Sequence, residues 1–63
     1  MRYPRLRAKR VELGLRQEDM AIKLGITLTT YSLKESGKRE FNASEVSQIL
    51  VILNSKFEDI FLS

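Results

Sequence analysis

The sequence contains no cysteine and no histidine. Without cysteine, the chain can form neither a disulfide nor a thiolate metal site. Without histidine, it lacks the commonest metal ligand and the commonest general base. Eight carboxylates remain, but no pair of them stands out as a metal cage or an acid–base couple. We therefore expect no metal, no cofactor and no enzymatic activity.

Long apolar segments and strand signals are also missing. The longest apolar run, ILVIL at residues 49–53, is far shorter than the roughly 18 residues of a membrane span. The N-terminus is charged and lacks the apolar region of a signal peptide. No sustained alternation and no Asn-Gly or Asp-Gly turn indicates a β-hairpin. These absences predict a cytoplasmic, all-α protein.

Length and charge narrow the size of the fold and the kind of partner that it binds. Sixty-three residues make a single domain close to the lower size limit for independent folding. Residues 1–39 hold ten Lys/Arg against four Asp/Glu, a net charge of +6, and residues 40–63 hold one against four, a net charge of −3. A basic N-terminal part suggests a polyanionic partner, although a charge run is more often a solvated face.

Apolar periodicity and capping residues predict five short helices. They run from about Pro4 to Leu13, from about Gln17 to Leu24, from Leu28 to Ser36, from just after Asn42, and from just after Ser55. Asn42 and Glu45 have the spacing of a capping box. The predicted core consists of Leu6, Leu13, Met20, Ala21, Leu24, Ile26, Tyr31, Val46, Ile49, Leu50, Leu53, Phe57, Ile60 and Phe61.

The second and third predicted helices carry a recognisable spacing. Ala21, Gly25 and Tyr31 follow Gln17 by four, eight and fourteen residues. A small residue lets two helices cross closely, a glycine takes a positive φ in the turn, and a large residue on the second helix fills the core. This spacing is typical of a helix-turn-helix.

The stretches LGLRQEDMAIKLGI, YSLKESGKR and LNSKFEDIF resemble the lambda-repressor/Cro-like domain, also called the XRE or HTH-3 type. The resemblance extends over about residues 5–61. It implies that residues 1–63 form one compact five-helix, lambda-repressor-like domain with its helix-turn-helix at helices two and three. It further implies a sequence-specific transcriptional regulator of double-stranded DNA, of the repressor type found in phages and mobile elements, in the prokaryotic cytosol or nucleoid.

The resemblance implies that the third helix enters the major groove, with Leu28, Thr29, Ser32 and Leu33 toward the bases. Ordinary surface exposure is the alternative for these four residues. Thr29 and Ser32 can form hydrogen bonds with bases, whereas the leucines suit thymine methyl groups. Leu33 departs from the polar or basic residue common in the family, so either the site is T-rich where the leucines lie or DNA shape supplies part of the readout.

Phosphate contacts and one ion pair complete the expected site. The candidates for phosphate contact are Arg16, Gln17, Lys38 and Arg39, with Lys34, Arg2 and Arg5 as weaker ones. Solubility is the alternative role for any single cation. The resemblance also implies a structural ion pair between Arg10 and Glu35, for which separate solvation is the alternative. The Tyr31 hydroxyl is a further candidate for reaching a phosphate.

A weak homodimer is expected on an operator with two half-sites. Val51, Ile52 and Leu62 are the candidate interface, because the predicted core does not account for them. Packing beneath the chain termini is the alternative for Val51 and Ile52. A different function is also open: Leu28 and Leu33 would suit a protein groove in an antitoxin or adaptor. No small-molecule effector and no membrane partner is indicated.

Overall fold

The computed structural model describes residues 3–62, and this part of the chain consists of five α-helices without a strand. The helices are α1 (Pro4–Glu12), α2 (Gln17–Leu24), α3 (Leu28–Glu35), α4 (Ala43–Ile52) and α5 (Phe57–Ile60). The all-α class and the positions of the helices are therefore confirmed. None of the helices in residues 3–62 has the length and apolar character that crossing a membrane requires.

Local residues set the beginnings of the helices. Pro4 occupies the first turn of α1, where its missing N–H costs no hydrogen bond. The predicted capping box opens α4: Asn42 Oδ1 accepts from the Glu45 N–H at 2.8 Å, and the Glu45 carboxylate accepts from the Asn42 N–H at 3.0 Å. The box satisfies two N–H groups that a helix N-terminus would otherwise leave without partners.

The core lies where α2 packs against α3 and α4, and α1 against α5. Its buried apolar residues are Leu6, Met20, Ala21, Leu24, Tyr31, Ile49, Leu53 and Ile60. The partly buried residues packed against them are Tyr3, Leu15, Ile26, Phe41, Leu50, Ile52 and Phe61. Val46, expected in the core, is half-buried.

The prediction of a core position is wrong for two residues. Leu13 and Phe57 are each 46% exposed. The helical spacing that placed Leu13 inward ends at Glu12, so Leu13 turns outward and Leu15 packs on the core instead. Phe57 is the first residue of the single-turn α5. Its ring stacks on Phe61 at 5.4 Å between centroids.

All five aromatic residues form one connected cluster, which extends from α3 to α5. The Phe41 ring lies 6.0 Å from that of Tyr31, 5.5 Å from that of Tyr3 and 6.0 Å from that of Phe61. Tyr3 meets Phe61 edge-on at 5.4 Å, and Phe57 adjoins Phe61. The tilted and edge-on geometries are those that aromatic pairs prefer. Tyr3 and Phe41 thereby pack the segments before α1 and before α4 onto the core.

Candidate nucleic-acid interface

A tight turn sets α3 against α2. Gly25 has a φ of 70°, a left-handed conformation that glycine takes without steric cost. Its N–H points back to the carbonyls of Ala21 and Ile22, and the Ile26 N–H donates to Ala21 at 3.0 Å. Ala21 is 3% exposed, and its small side chain lets the two helices approach closely. Thr27 then begins α3 by accepting from the Thr30 N–H at 3.1 Å.

One side of α3 points away from the core. We call it the reading face, and it consists of Leu28, Thr29, Ser32 and Leu33. Leu28 is 47% exposed and Thr29 is exposed, whereas Ser32 and Leu33 are half-buried. The opposite side of the helix carries the fully buried Tyr31. The structure thus brings the four expected base-contacting residues together on one surface.

A buried hydrogen-bond network lies beneath α3, with the Glu35 carboxylate at its centre. Arg10 donates to both carboxylate oxygens, from Nε at 2.9 Å and from Nη2 at 3.1 Å. Tyr31 donates its hydroxyl at 2.6 Å, and Gln17 donates Nε2 at 3.1 Å. The remaining Arg10 nitrogen, Nη1, donates to the Leu15 carbonyl at 2.8 Å. The expected Arg10–Glu35 pair is therefore in contact and joins α1 to α3, and Gln17 connects α2 to the same carboxylate.

The network fixes the charge state of its members. Burial opposes ionisation of Glu35, but hydrogen bonds from Arg10, Tyr31 and Gln17 outweigh it and hold the pKa of Glu35 below its ordinary value. Burial, reinforced by the hydrogen bond to Glu35, raises the pKa of the Tyr31 phenol. Glu35 is thus a carboxylate and Tyr31 a neutral donor at neutral pH.

A surface cleft of about 550 Å³ opens between α1, α2 and α3. Two exposed cations line it, Arg7 on α1 and Lys38 after α3. Gln17, Ser32 and Ser36 supply neutral polar groups, and Glu35, whose charge is paired with Arg10, also lines the cleft. The cleft therefore adjoins the reading face and combines positive charge with hydrogen-bonding groups, the combination that suits a phosphodiester.

Comparison with protein-family models identifies the family of the chain. Residues 6–60 match the model of the helix-turn-helix family HTH_3. The chain belongs to this lambda-repressor/Cro-like helix-turn-helix family. Searches of the curated proteins and of the solved structures found no match. Family membership supports a DNA-binding regulator, with α2 and α3 as its helix-turn-helix.

Arg16 and Gln17 lie at the start of this helix-turn-helix. The Asp19 carboxylate accepts from the Arg16 N–H at 2.8 Å, which is half of a capping box. A guanidinium group cannot accept a hydrogen bond, so the other half is not made. The Arg16 side chain is 74% exposed near Glu18 and Asp19. Gln17 is half-buried and turned toward Glu35, at the N-terminal end of α2.

The other exposed candidates for phosphate contact fall into two groups. Lys38 and Arg39 are exposed in the loop after α3, where their backbone N–H groups donate to the Leu33 carbonyl at 2.9 and 3.3 Å. Arg5 donates from Nη1 to the Leu62 carbonyl at 3.0 Å, on the α1–α5 side. Arg2 lies outside the described residues. Lys38 and Arg39 thus adjoin the helix-turn-helix, and Arg5 does not.

Two expectations about phosphate contact are wrong. Lys34 is 9% exposed, and its Nζ lies 2.6 and 2.7 Å from the two carboxylate oxygens of Glu45. The ammonium group is therefore inside the domain and already neutralised. The Tyr31 hydroxyl is likewise buried and donates to Glu35, so it does not reach the surface.

The residue spacing that identifies the helix-turn-helix does not predict two features of this region. Arg7 lies on α1, outside the motif, and only the tertiary structure brings it to the cleft. The Lys34–Glu45 pair joins residues eleven apart in the sequence. Lys34 follows the inward Tyr31 by three residues and so shares its side of α3. That spacing is the one available hint of burial, and periodicity alone does not name the partner of the lysine.

The candidate dimer residues lie near the C-terminal end of the chain. Val51 is 80% and Leu62 is 52% exposed. Ile52 differs from expectation, because it is partly buried and packs against the core. The core therefore accounts for Ile52, but not for Val51 or Leu62. Phe57, 46% exposed at the start of α5, is a further exposed apolar residue of this part.

Proposed function

We propose that the chain is a sequence-specific regulator of transcription, of the phage- or mobile-element-type repressor class, that binds double-stranded DNA with α3 in the major groove. Family membership supports the DNA-binding part of this proposal. The observation that carries the rest is the division of α3 between an outward reading face and an inward side fixed by buried polar groups. In a helix-turn-helix, the N-terminal residues of the second helix meet the base edges.

The side chains of the reading face favour a particular kind of target. Thr29 and Ser32 each carry one hydroxyl, so they cannot form the bidentate hydrogen bonds with a base that Arg, Asn or Gln can form. Leu28 and Leu33 offer apolar surface that suits the methyl group of thymine. We infer a half-site with thymines opposite the leucines. Groove width and DNA flexibility supply the remaining discrimination.

Phosphate contacts would position this helix from both sides of the groove. Lys38 and Arg39 are exposed beyond the end of α3, and Arg16 and Gln17 are at the start of α2. Arg7, which lines the same cleft as Lys38, adds a fifth candidate. Cations in this arrangement release counterions on binding, so the affinity falls as salt rises.

Two copies of the chain are needed for a full operator. The described residues measure 25 × 23 × 19 Å, which is less than the roughly 34 Å between adjacent half-sites on one face of DNA. We propose a weak homodimer through the C-terminal part, with Val51 and Leu62 as its exposed apolar residues. The DNA would strengthen this contact by holding the two copies together.

A protein-interaction role, as in an antitoxin or adaptor, is the second candidate. One observation favours it: Leu28, at the exposed start of α3, is 47% exposed. A leucine there suits an apolar protein groove as well as a thymine methyl. The exposed cations around the cleft favour DNA over this alternative.

Selection from random-sequence duplexes, followed by titration at about 50 and about 200 mM salt, tests the DNA-binding proposal. We expect one enriched sequence family, and for about six phosphate contacts the affinity falls by about a thousandfold between the two salts. A purified, folded chain that enriches no sequence and binds no duplex at the lower salt would refute the proposal. Capture of a protein partner by that same chain would then favour the second candidate.

Sedimentation of the wild type and Val51→Glu, with and without a selected duplex, tests the dimer. Val51 is better suited than Ile52, since a charge at the partly buried Ile52 would also disturb the core. We expect Val51→Glu to bind two half-sites without cooperativity, while the wild type binds them cooperatively. A wild type that binds each half-site independently would contradict the dimer.

A further inference from the structure

A second buried ion pair joins α3 to α4. Lys34 is 9% and Glu45 is 5% exposed, and Lys34 Nζ lies 2.6 and 2.7 Å from the two Glu45 oxygens. Neither residue belongs to the reading face or to the exposed cations around it. The proposed contacts with bases and phosphates therefore give this pair no role.

The Glu45 carboxylate also belongs to the start of α4. Its Oε1 accepts from the Asn42 N–H at 3.0 Å while both oxygens accept from Lys34. Burial opposes ionisation, but the hydrogen bonds from Lys34 and Asn42 outweigh it and lower the pKa of Glu45. A single ionised group thus fixes the first turn of α4 against the last turn of α3.

The segment between these two points carries the proposed phosphate contacts. Residues 36–42 connect α3 to α4 and include Lys38 and Arg39. The Leu33 carbonyl accepts from the N–H groups of Lys38 and Arg39, which fixes the first half of this loop to α3. Glu45 fixes its far end, through Asn42. Both ends of the loop are therefore bonded to groups held by α3.

Stability alone does not require an ion pair at this position. Moving two charges out of water costs several kcal/mol per ion, and an apolar pair of similar volume is often equally or more stable. An ion pair differs from an apolar contact in being directional, because its hydrogen bonds fix both distance and angle. Such a pair suits a place where geometry matters more than strength.

We propose that Lys34 and Glu45 are positioning residues that hold the Lys38–Arg39 loop in register with the reading face and so contribute to sequence discrimination. This inference rests on the proposed DNA-binding function. The phosphate contacts of the loop and the base contacts of α3 are made simultaneously only when their spacing matches that of the duplex. A loosened loop still meets phosphates somewhere along any DNA, so non-specific binding persists.

The test uses the double variant Lys34→Met/Glu45→Gln, which leaves the net charge unchanged. Methionine is a flexible apolar replacement for the lysine stem, and glutamine can retain the capping box with Asn42. The matched control is Lys9→Met/Glu12→Gln, the same changes in the pair whose side chains are 35% and 65% exposed. The readouts are the melting temperature and the affinities for a duplex selected with the wild type and for its scrambled sequence.

We expect the double variant to melt within about 5 °C of the wild type. Its affinity for the scrambled duplex should stay within about twofold, while its affinity for the selected duplex falls by about tenfold, the effect of one mismatched base pair. The exposed-pair control should match the wild type in all three measurements. A folded double variant that keeps the full ratio of selected to scrambled affinity would overturn the inference.

Glu45→Asp provides the same test if the double variant does not fold. Aspartate keeps the charge and can cap α4, but it withdraws the carboxylate from Lys34 by one methylene. We again expect a lower ratio of selected to scrambled affinity, and an unchanged ratio would count against the positioning role. A wild type that does not discriminate between duplexes would instead refute the proposed function itself.

Discussion

The two ends of α3 differ in how they are held. At its N-terminal end, Thr27 supplies only a local cap through Thr30, and Leu28 and Thr29 are exposed. At its C-terminal end, Lys34 and Glu35 are buried and bonded to other helices. The fixed end determines where the helix lies, and the other end presents side chains that the fold does not require. Substitutions at the two ends should therefore have opposite consequences for stability and for recognition.

The largest effect is expected at the fixed end, from Glu35→Ala. Removing the carboxylate leaves the buried Arg10 guanidinium without its partner, which costs about 3–5 kcal/mol. The Tyr31 hydroxyl loses its acceptor as well. The core of a 63-residue chain rarely supplies a free energy of unfolding above about 3–5 kcal/mol, so the variant should be largely unfolded near its working temperature. Urea denaturation followed by circular dichroism measures the loss.

Glu12→Ala is the control for that experiment. Its carboxylate pairs with Lys9 on the surface, where an ion pair contributes at most about 1 kcal/mol. Equal losses from Glu35→Ala and Glu12→Ala would show that the buried network does not stabilise the fixed end.

Acid should weaken the fixed end without any substitution. The pKa values of Glu35 and Glu45 are both lowered from 4.5 in the folded chain, so the unfolded chain binds these protons more readily. The stabilisation they provide is complete above the unfolded value and is lost as the pH falls through the lower folded values. We expect the urea midpoint to be level near neutrality and to fall steadily below about pH 4.5. A midpoint that rose with acid would contradict this.

The reading face should show the reverse pattern. Thr29→Ala and Leu33→Ala should each cost about 1–3 kcal/mol on a selected duplex by removing base contacts. Binding to scrambled DNA should change little. Thr29 is exposed, so its substitution should alter stability by less than about 0.5 kcal/mol. Equal losses on both duplexes would remove these residues from base recognition.

A smaller and uniform effect is expected from Lys38→Ala. Loss of one phosphate contact should weaken binding to every duplex about equally and reduce the salt slope by about one. Lys56→Ala is the matched control. Lys56 is also exposed, but it immediately precedes α5, outside the helix-turn-helix and the loop that follows it. A changed base preference with an unchanged slope would assign Lys38 to base readout instead.

The smallest effect concerns Arg16→Thr at the start of α2. A threonine hydroxyl could accept from the Asp19 N–H and complete the capping box that Asp19 half forms. The gain in stability should be about 0.5–1 kcal/mol, while DNA binding weakens through loss of a cation. A variant that is stabilised and binds DNA as tightly as the wild type would exclude Arg16 from phosphate contact.

Most of the fold is predictable because it depends on neighbours along the chain. The capping box at Asn42 and Glu45 and the left-handed Gly25 are decided within a few residues. Errors arise where a helix ends, as at Leu13, since the apolar period continues in the sequence past the residue where the helix stops. Burial of Ile52 escapes prediction for a related reason: an apolar stripe on one helix does not show how widely the neighbouring helices cover it.

The sequence by itself determined five helices and the spacing of the helix-turn-helix, because these follow from local propensity and helical period. The four residues of the reading face came from the family resemblance that the same sequence carries. Only the tertiary structure decided the roles of Lys34 and Arg7. Both are cations on helices, and their neighbours along the chain do not settle which of them is buried. Folding brings Lys34 against Glu45, eleven residues away, and leaves Arg7 exposed beside the cleft. Charge is a property of the residue, but whether it meets solvent or a buried carboxylate depends on which helices pack together.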